Sequence, residues 1–196
     1  ESDMMHFMKE GMKEYIPYID KWDAPSERMF NGKKVMGRPT RAFGTSSFEY
    51  AGKLYEPDPW TKNIEWIKEG AEEYVKRVVD REVEFTFCLC GMYKNGRIGV
   101  PAHSDTVPTQ KDLVISISFG EPRIFTWKEY DRNIKTTCNT SEVDITEANI
   151  KKYTTYLLRH GDVIIFDGAS QMNTTHAVPR LRGVGERINL TFRTGI

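Results

Sequence analysis

The sequence predicts an α+β fold in which helical segments precede short β-strands that close on themselves, a double-stranded β-helix of the jelly-roll type. Apolar residues recur every three or four positions in two early segments, whereas apolar and polar residues alternate in short runs after residue 81. Glycine or proline separates many of these runs. A chain of 196 residues has the length of one domain, so we expect a single domain with helices and a flap in residues 1–80 and the β-helix core in residues 81–196.

The N-terminal part is predicted to contain two helices and a flap. Residues 3–16 place methionine and aromatic side chains at helical spacing before a proline. A loop is expected at 20–34, and residues 38–55 then supply two short aromatic strands bracketed by proline and glycine, as in a hairpin-like flap. The second helix is predicted to enter at Asp58, which suits an N-cap, and to continue to Val79.

The remainder of the chain is predicted to be mostly strand. Residues 128–153 interrupt the strands as a polar insertion with a helical turn from Thr146, and a hairpin about Gly161 joins the fourth and fifth strands. The predicted strands are residues 85–93, 113–119, 124–127, 153–160, 162–166 and 187–193.

Charge and cysteine content bear on compartment and partners. Lys+Arg and Asp+Glu both number 28, so no global positive field attracts nucleic acid, and such a partner requires a local patch. The three cysteines cannot all pair, and we expect Cys88 and Cys90 to be small buried hydrophobes rather than half of a metal site. No apolar run is long enough to cross a bilayer and no signal peptide is visible, so we expect a soluble intracellular monomer, in cytoplasm or nucleus.

Three residues form a possible metal site. His103 and Asp105 are two positions apart and project from the same side of an extended chain. His176, which follows an apolar strand, can complete one face of an octahedral ion. Two imidazoles and one carboxylate are the ligand set of non-haem iron(II) oxygenases, and they leave three coordination positions for a chelating cosubstrate and O2. The alternative is a His-x-Asp pair at the surface that binds no metal.

The last predicted strand carries a polar face. Arg187, Asn189, Thr191 and Arg193 share this face, and the apolar residues between them share the other. Because the guanidinium fork matches a carboxylate, two arginines beside a metal site favour anchoring of the dicarboxylate 2-oxoglutarate. Without the metal ligands, two arginines on a water-facing strand would be the simpler explanation.

Eight short motifs follow one another along the chain. They are PTRAFG at 39–44, FEYAG at 48–52, YKNG at 93–96, HSD at 103–105, SISFGEPRIF at 116–125, GDV at 161–163, HAVP at 176–179 and RINLTFR at 187–193. In this order the motifs resemble the AlkB family of iron(II)- and 2-oxoglutarate-dependent dioxygenases, from about residue 38 to residue 193. The last motif is the most specific of the eight.

The resemblance implies a cofactor set of iron(II), 2-oxoglutarate and O2, with His103, Asp105 and His176 as the metal ligands. It also implies that Arg187 pairs with the distal carboxylate of 2-oxoglutarate and that Arg193 lies near its ketoacid end. The remaining pocket residues implied are Tyr93, Ser118, Asn189 and Thr191. The family pattern has asparagine where this chain has Gly91, so one cosubstrate hydrogen bond is missing or is supplied elsewhere.

Residues 38–55 also bear on the substrate. Aromatic side chains interleaved with arginine are typical of single-strand nucleic acid binding, where each stacked base contributes about 1–3 kcal/mol; aromatics packing a small sheet are the alternative. The equivalent AlkB segment is a nucleotide-recognition lid, so the resemblance implies substrate contacts by Arg41, Phe43, Phe48 and Tyr50. The candidate phosphate contacts near the mouth of the site are Lys94, Arg97, Arg180 and Arg182.

The activity that the resemblance implies is oxidative demethylation of N-alkylated bases in single-stranded or flipped-out DNA or RNA, with succinate, CO2 and formaldehyde as products. Val107 occupies the position at which family members acting on adenine or cytosine have an acidic residue, so the identity of the substrate base is not determined. Two alternatives remain. A hydroxylase of a protein side chain or small molecule is favoured by Val107 and the neutral net charge. A non-catalytic binding module is disfavoured by the intact ligands and arginines.

Overall fold

The computed structural model describes residues 15–25, 27–30, 33–50, 53–105, 113–136, 143–144, 148–166 and 172–195. The predicted first helix, residues 3–16, lies outside this part of the chain apart from its last two positions, and the predicted turn from Thr146 lies outside it as well. No helix in the described part of the chain combines the length and apolarity that a bilayer span requires.

One helix and fifteen strands occur in the described residues. The helix is α1 (Lys62–Val79). The strands are β1 (Glu27–Phe30), β2 (Lys33–Met36), β3 (Thr40–Gly44), β4 (Phe48–Tyr50), β5 (Lys53–Tyr55), β6 (Phe87–Tyr93), β7 (Val100–His103), β8 (Val114–Gly120), β9 (Arg123–Tyr130), β10 (Lys135–Thr136), β11 (Val143–Asp144), β12 (Ile150–Leu158), β13 (Val163–Phe166), β14 (Thr174–Val178) and β15 (Arg187–Arg193).

Two antiparallel sheets form the core. The five-stranded sheet has the order β13-β8-β15-β6-β3, and the four-stranded sheet has the order β12-β9-β14-β7. Apolar side chains from both sheets pack together in the space between them, so the sheets lie face to face. These side chains belong to Tyr93, Val114, Phe125, Leu158, Phe166 and Val178.

The helix α1 covers the other face of the five-stranded sheet. Its buried residues are spaced three or four apart and pack against the apolar faces of β6, β8 and β15. These helix residues are Ile64, Ile67, Ala71 and Val75. The predicted entry at Asp58 is wrong, because the backbone of Asp58 instead exchanges hydrogen bonds with Ala42 and Gly44 at the edge of the sheet.

The predicted flap at residues 38–55 divides into two parts. Strand β3 pairs with β6 over the register Thr40 to Gly91 through Gly44 to Phe87, and so becomes an edge of the five-stranded sheet. Strands β4 and β5 pair with each other in a separate hairpin. The prediction that the whole segment forms one flap is therefore wrong for β3, because β3 is part of the core sheet and its side chains lie on both faces of that sheet.

The chain between residues 128 and 166 also differs from the prediction. Strands β9 and β12 extend from both sides into the predicted polar insertion, and Ile150 pairs with Tyr130. The predicted hairpin about Gly161 is wrong, since β12 pairs with β9 in one sheet and β13 pairs with β8 in the other. Gly161 has a φ of 81°, a backbone conformation that suits glycine, at the point where the chain crosses between the two sheets.

Candidate metal centre

Three predicted metal ligands converge in the cavity between the sheets. His103 ends β7 and lies opposite His176 of β14 in the strand register, and Asp105 follows two residues after His103. The Nε2 atom of His103 is 3.4 Å from Oδ1 of Asp105, and Nε2 of His176 is 3.6 Å from its Oδ2. One ligand atom from each residue lies within 4.8 Å of the others, and all three residues are buried. This geometry fits one small cation bound by two nitrogens and an oxygen.

The surroundings of the two imidazoles prepare them as ligands. The Nδ1 atom of His103 lies 2.8 Å from the carbonyl oxygen of Pro101. An Nδ1–H that donates to this carbonyl leaves the lone pair of Nε2, next to Asp105, available to a cation. Burial, followed by the charge of His103, lowers the pKa of His176 to about 3, so its ring is neutral near pH 7. Aromatic rings of Phe125, Trp127 and Phe166 stack on this imidazole.

Asp105 is held ionised by its neighbours. Burial acts to raise the pKa of this carboxyl, but the Arg193 guanidinium and then the two imidazoles hold the pKa well below its usual range. Nη2 of Arg193 donates a hydrogen bond of 3.1 Å to Oδ2 of Asp105. The cavity therefore presents a carboxylate rather than a carboxylic acid, as a cation site requires.

The polar face of β15 lines the same cavity. Its four residues are all buried, and hydrogen bonds link Arg187 and Asn189 to the neighbouring strand β8 and Thr191 to Asn189. Arg187 donates from Nη2 to Oγ of Ser118 at 2.9 Å, Asn189 donates to Oγ of Ser116 at 2.6 Å, and the Thr191 hydroxyl donates to Asn189 at 3.1 Å. Two other nitrogens of Arg187, Nε and Nη1, are buried and have no hydrogen-bond partner among the described residues. Such a face fits a buried anion.

The sequence comparisons agree with this geometry. A family model described as the 2OG-Fe(II) oxygenase superfamily matches residues 5–193. The chain belongs to this superfamily. Iron(II), 2-oxoglutarate and O2 are the cofactors that the superfamily implies, so the cofactor prediction is confirmed, and the donor set described above fits iron(II).

Individual relatives of this oxygenase place it beside AlkB-type proteins. Alpha-ketoglutarate-dependent dioxygenase alkB homolog 3 of Bos taurus is 31% identical over 161 residues, and that of Homo sapiens is 30% identical over 161 residues. Each alignment covers 80% of this chain and 51% of the relative, so the chain spans about half the length of these relatives. The resemblance to AlkB-type dioxygenases is confirmed.

A solved structure supports the fold. The crystal structure of an oxidoreductase of the 2OG-Fe(II) oxygenase family from Burkholderia pseudomallei superposes with a TM-score of 0.51 at 13% identity, covering 86% of this chain and 70% of that one. The two-sheet core is therefore the fold of this oxygenase family.

Tyr93 stands among three guanidinium groups of the oxygenase. The Cζ atoms of Arg38, Arg123 and Arg187 lie 5.3, 5.2 and 4.9 Å from the centre of its ring. Arg123 is fully buried and donates to three backbone carbonyls, those of Asn95, Ile98 and Pro179. It thereby ties the loop after β6 to the end of β14, next to the predicted cosubstrate contact.

The predicted substrate contacts do not all face the cavity. Phe43 is buried in the core beneath α1, and Arg41, on the same face of β3, pairs with Asp23 and Asp58. Phe48 lies on the cavity side, where it stacks on a ring of β6 and sits 5.3 Å from the Arg193 guanidinium. The side chain of Tyr50 lies outside the described part of the structure.

The predicted phosphate contacts lie on two loops that meet. The amide of Leu181 donates to the carbonyl of Gly96 at 2.9 Å, which brings the loops after β6 and β14 together. Their four basic side chains are exposed, and they belong to Lys94, Arg97, Arg180 and Arg182. Val107, on which the choice of base was expected to depend, lies outside the described residues.

Two cavity residues were missed from the sequence, and a third, Arg38, was expected only to supply charge for nucleic acid in the 38–55 segment. Arg38, Phe125 and Phe166 line the cavity together with the predicted residues. The aromatic pair was assigned to strands without a role, because period-two alternation does not say which face of a strand meets the site. The sequence did contain a signal for Arg38. Gly91 interrupts the large side chains on one face of β6, and this gap leaves room for a side chain from another segment.

Proposed function

We propose that this protein is an iron(II)- and 2-oxoglutarate-dependent oxidative demethylase of N-alkylated bases in DNA or RNA. The observation that carries the proposal is the meeting of His103, Asp105 and His176 with the arginine-bearing face of β15 in one buried cavity. A metal-binding triad alone would suit many cations. The adjacent guanidinium groups restrict the second ligand to an anion. We also infer that the two facing sheets form a double-stranded β-helix of the jelly-roll type.

Each group has a task in this proposal. Arg187, positioned by Ser118, binds the distal carboxylate of 2-oxoglutarate, and Arg193 lies beside the ketoacid end while it holds Asp105 ionised. Asn189 and Thr191 fix the polar wall between the two arginines. Iron(II), when bound to the triad, supplies the activation of O2 that converts 2-oxoglutarate to succinate and CO2 and hydroxylates a substrate C–H bond.

Exclusion of water is the contribution of the cavity wall. Phe125, Trp127 and Phe166 surround His176 with aromatic rings, so water reaches the triad from few directions. An N-methyl group held against this wall is hydroxylated and then leaves as formaldehyde, which restores the base. The hairpin of β4 and β5 places Phe48 on a ring of β6, next to the guanidinium of the cavity residue Arg193, and this position supports a role as a nucleotide-recognition lid.

A second function is favoured by a specific observation. Arg41 and Phe43 face away from the cavity and are occupied by internal contacts, so two of the expected nucleic-acid contacts are turned away from it. A hydroxylase acting on a protein side chain or small molecule would use the same iron and cosubstrate without them. A non-catalytic module is the least supported proposal, because it gives no reason for a buried triad beside buried arginines.

The test is an assay on N-methylated oligonucleotides that scores succinate and formaldehyde together. The proposal expects both products in equal amounts, dependent on added iron(II) and 2-oxoglutarate. Asp105→Ala is the matched inactive control, since it removes one ligand. Succinate without formaldehyde would favour the hydroxylase, and neither product from the metal-loaded protein would contradict an oxygenase function.

A further inference from the structure

Arg38 is a third arginine of the cavity, and its path depends on Gly91. The backbone carbonyl of the next residue, Pro39, accepts a hydrogen bond of 2.9 Å from the Met92 amide, which fixes the chain where it enters β3. From there the Arg38 side chain passes directly over Gly91. A Cβ atom built on Gly91 would lie 2.8 Å from Cδ and 3.1 Å from Cζ of Arg38, and closer still to its Nε. Only glycine at position 91 leaves this path open.

The path ends inside the cavity, beside the predicted cosubstrate contacts. The guanidinium of Arg38 lies over the Tyr93 ring, as does that of Arg187, and Arg38 lines the cavity with the metal triad. Gly91 pairs in register with Asn189, so the Arg38 side chain passes over β6 at the level of the polar face of β15. After burial, the charge of Arg38 contributes to the lowered pKa of Arg187.

The charge of the cavity also points to an anion at this position. The charged groups among the described lining residues, apart from the two imidazoles, are Arg38, Arg187, Arg193 and Asp105. Arg193 is engaged by the Asp105 carboxylate. Arg123, the third guanidinium over the Tyr93 ring, is bonded to three backbone carbonyls. The like charges of Arg38 and Arg187 over this ring repel each other, and an anion placed between them offsets the repulsion.

We propose that Arg38 binds the distal carboxylate of 2-oxoglutarate together with Arg187, and that Gly91 is required because it admits this side chain. This proposal rests on the proposed function, which supplies 2-oxoglutarate as the ligand, and it adds Arg38 as a residue that determines specificity for this cosubstrate. Two guanidinium forks on one carboxylate select a dicarboxylic oxoacid over a monocarboxylic one.

The test measures the dissociation constant of 2-oxoglutarate by calorimetric titration of the Mn(II)-loaded protein. Arg38→Met removes the charge but keeps the length of the chain, and Gly91→Ala displaces Arg38 while leaving it charged. Each variant is expected to weaken binding by about 10- to 100-fold, the usual range for a lost hydrogen bond to a charged group. The double variant is expected to bind no more weakly than either single variant, because both remove the same contact. Arg38→Lys, which restores a charge, is expected to recover part of the loss.

A ligand without the distal carboxylate separates loss of a direct contact from a general structural effect. 2-Oxopentanoate keeps the ketoacid that chelates the metal and lacks the distal carboxylate, so its dissociation constant is expected to be the same in Arg38→Met and in the unmodified protein. Arg41→Met is the matched arginine control, since Arg41 faces away from the cavity, and it is expected to leave both ligands unaffected. Should Gly91→Ala fail to fold, the Arg38 variants carry the test alone.

The outcomes distinguish this proposal from the proposed function. Unchanged 2-oxoglutarate binding in Arg38→Met, with weakened binding in Arg187→Met, would overturn the role of Arg38 and leave the oxygenase function standing. The role of Arg38 would also be overturned if Arg38→Met weakened the binding of 2-oxopentanoate as much as that of 2-oxoglutarate. The same conclusion would follow if this variant lost binding of methylated oligonucleotide while its binding of 2-oxoglutarate was unchanged. No binding of 2-oxoglutarate by the unmodified Mn(II)-loaded protein would instead contradict the proposed function itself.

Discussion

At the scale of single residues, the charge states in the cavity depend on one another. Asp105 stays ionised because Arg193 and the two imidazoles together outweigh the effect of burial, and His176 stays neutral because burial and the surrounding cations disfavour its protonation. A cation added to this arrangement meets one carboxylate and one neutral imidazole without first displacing a proton from either. Substitutions that alter charge should therefore change metal affinity more than those that alter shape.

Asp105→Asn keeps the shape of the side chain and removes its charge. We expect the affinity for Mn(II) to fall by more than about 100-fold, since changing even an outer partner of a ligand costs about 10- to 100-fold. Electron paramagnetic resonance of free Mn(II) during titration measures this affinity. Asp131→Asn alters an exposed carboxylate that bonds to Asn149, and it should leave the affinity unchanged. Equal affinities in the two variants would show that Asp105 is not a ligand.

Ser118→Ala tests how Arg187 is positioned. The hydroxyl of Ser118 accepts from Nη2 of Arg187, so its loss frees the guanidinium to move in the cavity. We expect the KM for 2-oxoglutarate to rise about 3- to 10-fold with kcat nearly unchanged, the range for one neutral partner of a hydrogen bond. Steady-state succinate formation gives both constants. Ser46→Ala removes a comparable hydroxyl pair with Thr86 elsewhere. A fall in kcat at unchanged KM would argue against a role in cosubstrate binding.

At the scale of elements, β15 determines what faces the cavity. It pairs with β6 on one side and β8 on the other, which fixes its register along nearly its whole length. A slip of one residue would turn both arginines into the core and three apolar side chains into the cavity. The helix α1 holds this register indirectly, because it covers the apolar face of the same strand.

Ile64→Ala tests the contribution of α1 to stability. Ile64 is fully buried in the core beneath the helix, and removing its side chain there is expected to lower the free energy of unfolding by about 2–5 kcal/mol. Urea denaturation measures this change. Val78→Ala, at a position 55% exposed near the end of the same helix, should change the free energy by less than about 0.5 kcal/mol. Similar values for the two variants would place α1 away from the core.

At the scale of the whole molecule, local patterns predicted the site better than the connections between strands. The spacing of His103 and Asp105 places both side chains on one face of an extended segment, and alternation does the same for the polar residues of β15. Neither prediction requires knowing which strands are neighbours, so both were correct although parts of the predicted topology were wrong. The partner of a strand is a long-range property, and the residues around Gly161 do not reveal that β12 and β13 enter different sheets. The contact predicted for Phe43 failed for a related reason, because alternation places Arg41 and Phe43 on one face of β3 without saying whether that face meets the cavity or the helix.

Metal and cosubstrate together should stabilise the whole chain, because the ligands come from both sheets. His103 and His176 belong to the four-stranded sheet, and Arg187 belongs to the five-stranded sheet, so a bound pair of ligands bridges the two. At ligand concentrations about 100-fold above Kd, we expect Mn(II) with 2-oxoglutarate to raise Tm by about 5–10 °C. Because 2-oxoglutarate chelates the metal, 2-oxoglutarate alone should give a much smaller rise. Thermal unfolding followed by circular dichroism measures these shifts, with Asp105→Ala as the control. A full shift in that variant, or with 2-oxoglutarate alone, would show that cosubstrate binding is independent of the triad.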